Sequence, residues 1–348
     1  MTASAPRITT VGTVATLLLL CLSACRQAAP GPEHIEGQAQ GTYYSISYYD
    51  AQHRDLQGPI DSLLAAFDQT ASLWVDSSLL RRVNENSDSI VNDDFAQLTA
   101  LSVAMHQLTD GAFDCTVGPL DSAWGFSFRS RQPMSDAAVD SLRRYVGQQP
   151  TLERSADGQY ILHKPYPQTA LDFNAIAQGY STDLIARYLD RQGITDYIVD
   201  VGGEVYARGG KPDGSPWRIG VERPAANKYS QRELASTIGV RDMAVVTSGS
   251  YRKYYEENGV RYSHTIDPVT GRPVRHTLLS VTVVDTAAWR ADALATAFMV
   301  MGLERAKAFI AAHPDDSGTQ AVYFIYDEAG DNKTYATPAF EKLILTNK

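Results

Sequence analysis

A chain of 348 residues with 44% hydrophobic composition can bury a sizeable core, which excludes disorder over its whole length. Its 31 Lys and Arg stand against 40 Asp and Glu, a net charge of −9, and no basic run exceeds two residues. That excludes a nucleic-acid groove, which needs a concentrated basic surface. An anionic ligand would need a local device to hold it.

The first 30 residues speak to compartment. Met1 to Arg7 carries one basic side chain and leads into an apolar stretch over residues 11–22, too short to span a bilayer. Ser23 and Ala24 follow, then Cys25, so residues 1–24 read as a secretory signal peptide. Leu22-Ser23-Ala24-Cys25 is similar to the bacterial lipobox, whose cysteine is acylated and becomes the first mature residue; the alternative is an ordinary signal cleaved nearby. On the lipoprotein reading, residues 25–40, with Pro30, Gly31 and Pro32, form a lipid-anchored tether, and the globular domain spans 41–348. The mature chain then holds 30 basic and 40 acidic residues. Cys115 is its only free thiol, so no intramolecular disulfide and no cysteine-ligated zinc site is possible.

Along the chain, residues 43–49 alternate as a strand does. Ile60, Leu63, Leu64 and Phe67 recur at helical spacing, as do Phe95, Leu98, Leu101, Met105 and Leu108, the second set ended by Asp110-Gly111. Strands are predicted at residues 160–163, 197–201, 217–221, 278–284 and 321–325, and helices at 176–191 and 292–312. Residues 208–216 and 223–232 read as loops. Without the regular alternation of a doubly wound sheet, the class is mixed α/β, or α+β.

Signatures of common nucleotide, zinc-protease and esterase sites are absent. Ser250-Tyr251-Arg252-Lys253 matches the Ser-x-x-Lys of penicillin-recognising enzymes, but its companion elements are missing. Asp292 and Thr296, at i and i+4 where a helix is expected to begin, put a carboxylate and a hydroxyl on one face, a pair suited to Mg²⁺ or to a simple cap. His264, heading Ser263-His264-Thr265-Ile266-Asp267-Pro268-Val269-Thr270-Gly271, is either a general base or a structural histidine. Residues 171–180 bring Gly179 to a helix N-terminus, where free N–H groups attract anions, and Gly202-Gly203 follows a strand; both also fit tight packing. Residues 111–125 could present an aromatic and a carboxylate to a ligand, or lie in the core.

These segments occur in one order. Gly41-Thr42, residues 77–84, 111–125 and 172–183, Gly202-Gly203-Glu204, Thr247-Ser248-Gly249, residues 263–271 and 291–296 together resemble the FAD:protein FMN transferase family, also called ApbE-type flavin transferases. The resemblance runs from residue 41 to about residue 302. It implies one α/β unit of two subdomains with FAD in the cleft between them. It also implies lipid-anchored, extracytoplasmic enzymes that use Mg²⁺ to move FMN from FAD onto a Ser or Thr hydroxyl of an acceptor flavoprotein, releasing AMP. By position, Asp292, Thr296 and the Ala175 carbonyl would hold the metal, and His264 would lie beside the pyrophosphate as base. Gln40, Trp74, Ala112, Phe113, Asp114, Asp172 and Gln178 would line the flavin dinucleotide site. Gln40 stands where the family commonly has Met, and Gln178 where it commonly has Lys or Glu. The resemblance leaves open an FAD pyrophosphatase, with water as acceptor, and a non-catalytic flavin-binding lipoprotein.

Overall fold

A computed structural model of the chain describes residues 1–2, 31–127, 132, 134–224, 233–250, 254–257, 260–314 and 320–345, with backbone alone at 254–257 and 260–263. Cys25, the apolar stretch before it, Tyr251 to Lys253 and most of the 223–232 loop lie outside the described residues. Among the described residues, no helix is long and apolar enough to cross a membrane.

In chain order the elements are β1 (Glu33–Ala39), β2 (Thr42–Tyr48), α1 (Gln57–Ala71), α2 (Leu79–Asn84), β3 (Ile90–Val91), α3 (Asp93–Leu108), α4 (Gly118–Trp124), α5 (Asp136–Arg143), β4 (Thr151–Arg154), β5 (Tyr160–His163) and α6 (Ala177–Arg191). There follow β6 (Tyr197–Val201), β7 (Glu204–Arg208), β8 (Trp217–Glu222), β9 (Leu234–Val240), β10 (Met243–Gly249), β11 (Tyr254–Glu257), β12 (Val260–Ser263), β13 (Ile266–Asp267), β14 (Arg272–Pro273), β15 (Leu278–Asp285), α7 (Ala288–Ala312), β16 (Ala321–Glu328), β17 (Asp331–Ala336) and α8 (Pro338–Glu341). The expected mixed α/β class is what forms.

Eight strands make one sheet in the order β1-β2-β6-β7-β10-β15-β16-β17. Every neighbouring pair in it is antiparallel. Alternation along each strand decides which layer its side chains join. Val281 and Val283 of β15 and Val322 and Phe324 of β16 pack with α7, whereas Val284, Tyr323 and Ile325 face the β8–β9 hairpin and α8. Tyr44, Ile46 and Tyr48 of β2 meet Tyr197, Val199 and Val201 of β6 over α1 and α6. A smaller part carries the three-stranded sheet β3-β5-β4.

Two differences from the sequence reading bear on the site. Residues 33–39, assigned to the tether, are strand β1: Ile35 is buried and β1 pairs along its length with β2 through the turn at Gln40 and Gly41. A stretch rich in Glu, Gln and Gly carries little hydrophobic signal because it is an edge strand with one face wet. The second concerns α7, which begins at Ala288 rather than at Asp292, and Gly302 (φ 74, ψ 170) breaks it into two helical segments. Asp292 therefore lies a full turn inside the helix and does not cap it.

Gly179 sets how closely α6 and α7 approach. A Cβ there would stand 2.3 Å from the Ala288 carbonyl oxygen and 2.9 Å from Asp292 Cβ. Backbone at that distance cannot yield cheaply. Gly179→Ala is expected to cost roughly 2–3 kcal/mol by overpacking, which a thermal melt would read as a Tm lower by roughly 5 °C or more. An unchanged melt would mean that the two helices are not in this contact.

Candidate active site

The contact between α6 and α7 is closed by hydrogen bonds in both directions. The Gly179 N–H lies in the first turn of α6, where backbone donors have no partner within the helix, and it donates to Asp292 Oδ2 at 3.1 Å. The anion drawn to the start of α6 is thus a side chain of the same chain. One helical turn further along, the Asp183 carboxylate accepts from the Ala288 N–H (3.0 Å) and the Trp289 N–H (2.9 Å). Asp183 is therefore the N-terminal cap of α7, donated by another helix, and Ala287, the residue at the cap position, makes no side-chain cap bond. Nearby, the buried Asp285 carboxylate pairs with Arg290 at 2.8 Å and fixes the passage from β15 into α7.

Asp292 is buried, and burial drives its carboxyl well above the usual carboxylate range, opposed only by the Gly179 N–H. A buried carboxylate with one donor is an incompletely matched charge, and a divalent cation beside its other oxygen would match it. Thr296, one turn on, has its hydroxyl 3.4 Å from Ser248 Oγ at the end of β10. Of the residues proposed for Mg²⁺, Asp292 is tied to the first turn of α6 through Gly179, Thr296 follows one turn along α7, and Ala175 lies four residues before Gly179 in the chain. Their donor set, carboxylate, hydroxyl and carbonyl, is all oxygen, as Mg²⁺ requires.

The expected dinucleotide residues divide by location. Gln178 donates from Nε2 to the Val201 carbonyl at 3.0 Å, in the turn made by Gly202 and Gly203. A Cβ on Gly202 would collide with that amide at 1.9 Å, so the paired glycines serve a close approach. Gln40 lies in the β1–β2 turn at φ 54 and its backbone N–H reaches Asp68. Gly202 donates to the Tyr43 carbonyl at 2.9 Å, which brings the β6–β7 turn beside β2 and puts Gln40 and Gln178 at one end of the sheet.

Asp172 is elsewhere, but it is tied to the 111–117 segment by its N–H, which donates to the Cys115 carbonyl at 2.8 Å. Its carboxylate accepts from Asn174 and lies against Asp121, and burial raises its pKa. It lines a cavity of about 330 Å³ with Leu73, Arg81, Asn84 and Gly118; Trp74, next to Leu73, is 61% exposed and offers a ring face at the rim. Ala112, Phe113 and Asp114 turn their side chains inward. The Phe113 ring belongs to the main core, and Asp114 accepts from the Thr116 N–H and hydroxyl and from Gln149, with His106 at 3.3 Å. Contact from this segment to a ligand would therefore come from backbone. His264 follows β12, with its ring edge-on to Phe126 at a centroid distance of 6.5 Å.

Sequence reasoning quoted Asp183 and Ser248 within motifs without giving either a role. The available signal for Asp183 was spacing: Gly179 and Asp183 stand four apart on α6, as Ala288 and Asp292 do on α7, so each helix offers one matching face. Burial pushes the Asp183 carboxyl up to about 6 from 3.8, although the two N–H bonds pull it down. Because the folded value is the higher, its contribution to stability is fully present below about pH 4 and is lost as the pH rises through about 6. Two pKa units correspond to roughly 3 kcal/mol. Wild type should therefore lose on the order of 2–3 kcal/mol relative to Asp183→Asn between pH 4 and 7, read by denaturant melts across that range. A flat difference would mean that the carboxyl is solvated.

Comparison with known proteins places the chain among flavin transferases in sequence and fold. A FAD:protein FMN transferase of Vibrio cholerae serotype O1 is 38% identical over 309 residues, covering 86% of this chain and 90% of the relative. The FAD:protein FMN transferase of Escherichia coli K12 is 35% identical over 323 residues, covering 90% of each. The solved structure of the flavin transferase ApbE from Vibrio cholerae superposes with a TM-score of 0.77 at 35% identity, over 90% of this chain and 100% of that one. With residues 40–322 matching its description, the chain belongs to the ApbE family.

Proposed function

We propose that this protein transfers FMN from FAD to a Ser or Thr hydroxyl of an extracytoplasmic acceptor protein, with Mg²⁺ as cofactor and AMP as the leaving group. The observation that carries the reading is the buried Asp292 carboxylate held at the start of α6 by a single N–H, with the Thr296 hydroxyl one turn along the same helix. Relatives that span most of the chain and are named FAD:protein FMN transferases support it.

In the reaction, the acceptor oxygen attacks the FMN phosphorus of FAD. One P–O bond forms, the pyrophosphate P–O–P bond breaks towards AMP, and the hydroxyl proton passes to an imidazole nitrogen of His264. Mg²⁺, when bound, supplies positive charge to the pyrophosphate and to the leaving phosphate. Asp292 and Thr296 would hold that ion through oxygen and leave it open to phosphate. The clasp fixes both side chains before substrate arrives, so little reorganisation is needed during transfer. Trp74 stacks on a ring of the dinucleotide, and Asp172 and Gln178 orient it.

The test is single-turnover FMN transfer to a Thr-containing acceptor, followed by flavin fluorescence of the product and release of AMP, with FAD titrated in parallel. EDTA or Asp292→Ala should abolish transfer and weaken FAD binding, with the fold retained. His264→Ala should leave FAD affinity nearly unchanged and slow transfer by roughly 10²-fold or more, the loss of a general base. Equal losses in both would make His264 scaffold. Cleavage of FAD without a labelled acceptor would make the protein a pyrophosphatase, and binding without cleavage a carrier.

We further propose that Cys25 carries the lipid. Only residues 26–32 separate it from β1, so the domain would sit within about 25 Å of the membrane surface. Cys25→Ala should release the protein from membranes. Retention of that variant at high salt would point to another anchor.

A further inference from the structure

On the far side of the hairpin that follows His264 there is a second concavity. It has a volume of about 440 Å³ and lies between β13–β14 and the later turns of α7. Val300 and Met301 contribute its apolar floor, and the guanidinium groups of Arg272, Arg275 and Arg305 line it together with the His276 imidazole. Asp267 is the single acid among the described lining residues. That carboxylate is engaged by its own turn, accepting from the Val269 N–H at 2.9 Å. Arg272 pairs with Asp136 of α5, and His276 Nε2 donates to the Met299 carbonyl at 2.7 Å. Arg275 and Arg305 are exposed. In a chain of net charge −9, this local excess of cations runs against the whole.

Its position relates it to the site. The Thr265 carbonyl, next to His264, accepts from the Val274 N–H at 3.0 Å, so one wall of the groove is built from the strand that His264 enters. Along α7, Asp292, Thr296 and Val300 succeed one another at helical spacing on one face, and the groove begins where Thr296 ends. Resting on the transferase reading above, we propose that this groove docks an acidic segment of the acceptor protein and so delivers the neighbouring Ser or Thr hydroxyl to His264.

A polypeptide suits the groove better than FAD does. The pyrophosphate is the anionic part of FAD, and the metal site claims it. The straight part of α7 carries Met301, on the groove floor, roughly 14 Å from Asp292, and Arg305 lies past the break at Gly302. The adenosine and isoalloxazine parts carry no anion to meet the exposed guanidinium groups of Arg275 and Arg305. Carboxylates on an extended acceptor segment do, and exposed charge pairs of this kind steer encounter and fix register.

The probes are two synthetic fluorescent peptides, one with a single Thr among Asp and Glu, the other with Asn and Gln at those places. Wild type should bind the acidic peptide more tightly, with an affinity that falls as salt rises. Arg275→Glu combined with Arg305→Glu should weaken that binding roughly tenfold, while FAD affinity and the melting temperature stay as in wild type. With an acceptor protein not yet carrying FMN, the same variant should show a higher KM for acceptor and an unchanged KM for FAD. Equal binding of both peptides, or no effect of the double variant on acceptor binding, overturns the proposal. A parallel loss of FAD affinity also overturns it, by giving the groove to the dinucleotide. Acidic-peptide binding without any transfer would remove the transferase reading and leave the groove; transfer indifferent to the arginines would do the reverse.

Discussion

The near contact of α6 and α7 at Gly179 is the constraint on which the rest of the site depends. Because no side chain intervenes, the Gly179 N–H can reach Asp292 and the Asp183 carboxylate can reach the first N–H groups of α7. Each helix supplies what the other lacks: α6 begins with an N–H in need of an acceptor, and α7 begins with N–H groups that its own cap position leaves unmet. The pairing fixes the axial register of α7 against α6. With that register set, Asp292 faces the start of α6, and Thr296, one turn on, lies beside Ser248 of β10. A slip by one residue would turn both away, since successive helical positions differ by about 100°.

The same contact accounts for the electrical character of the site. Burying Asp183 and Asp292 close together in a protein of net charge −9 is unfavourable, and burial raises the pKa of both. Asp183 is answered by two backbone N–H groups and has no need of a further partner. Asp292 has one, and the remaining deficit is where a cation is useful. The structure thus assigns the two acids different tasks: Asp183 orders a helix, and Asp292 keeps binding capacity in reserve.

The sheet contributes rigidity. Strands β10, β15 and β16 are buried on both faces, between α7 on one side and the β8–β9 hairpin with α8 on the other. Ser248, at the end of β10, is thereby held beside Thr296, and the helix bearing the proposed metal ligands lies on a surface that cannot easily deform. The kink at Gly302 redirects α7, whose later residues Ala306 and Ile310 still pack in the main core. His276 packs into the space that a side chain at Gly302 would occupy.

Much of this was legible in the sequence. Apolar periodicity located the strands at residues 160–163, 197–201 and 278–284 and the helices that contain Phe67 and Met105, because burial on one face or both leaves a pattern in the residues themselves. The ordered motifs sufficed to indicate the family. Strand β1 was not legible, since an edge strand with a wet face can be built from Glu, Gln and Gly when its partner supplies the register. Nor was the start of α7 at Ala288. Its cap comes from Asp183, 105 residues earlier in the chain, and no local signal records a cap that another helix provides. The inward turn of Asp114 and the bond from the Gly179 N–H to Asp292 are of the same kind. Residue types and spacing determined which groups could serve chemistry; which oxygen meets which donor was decided only when two distant segments were packed together, because a hydrogen bond depends on distance and angle rather than on order in the chain.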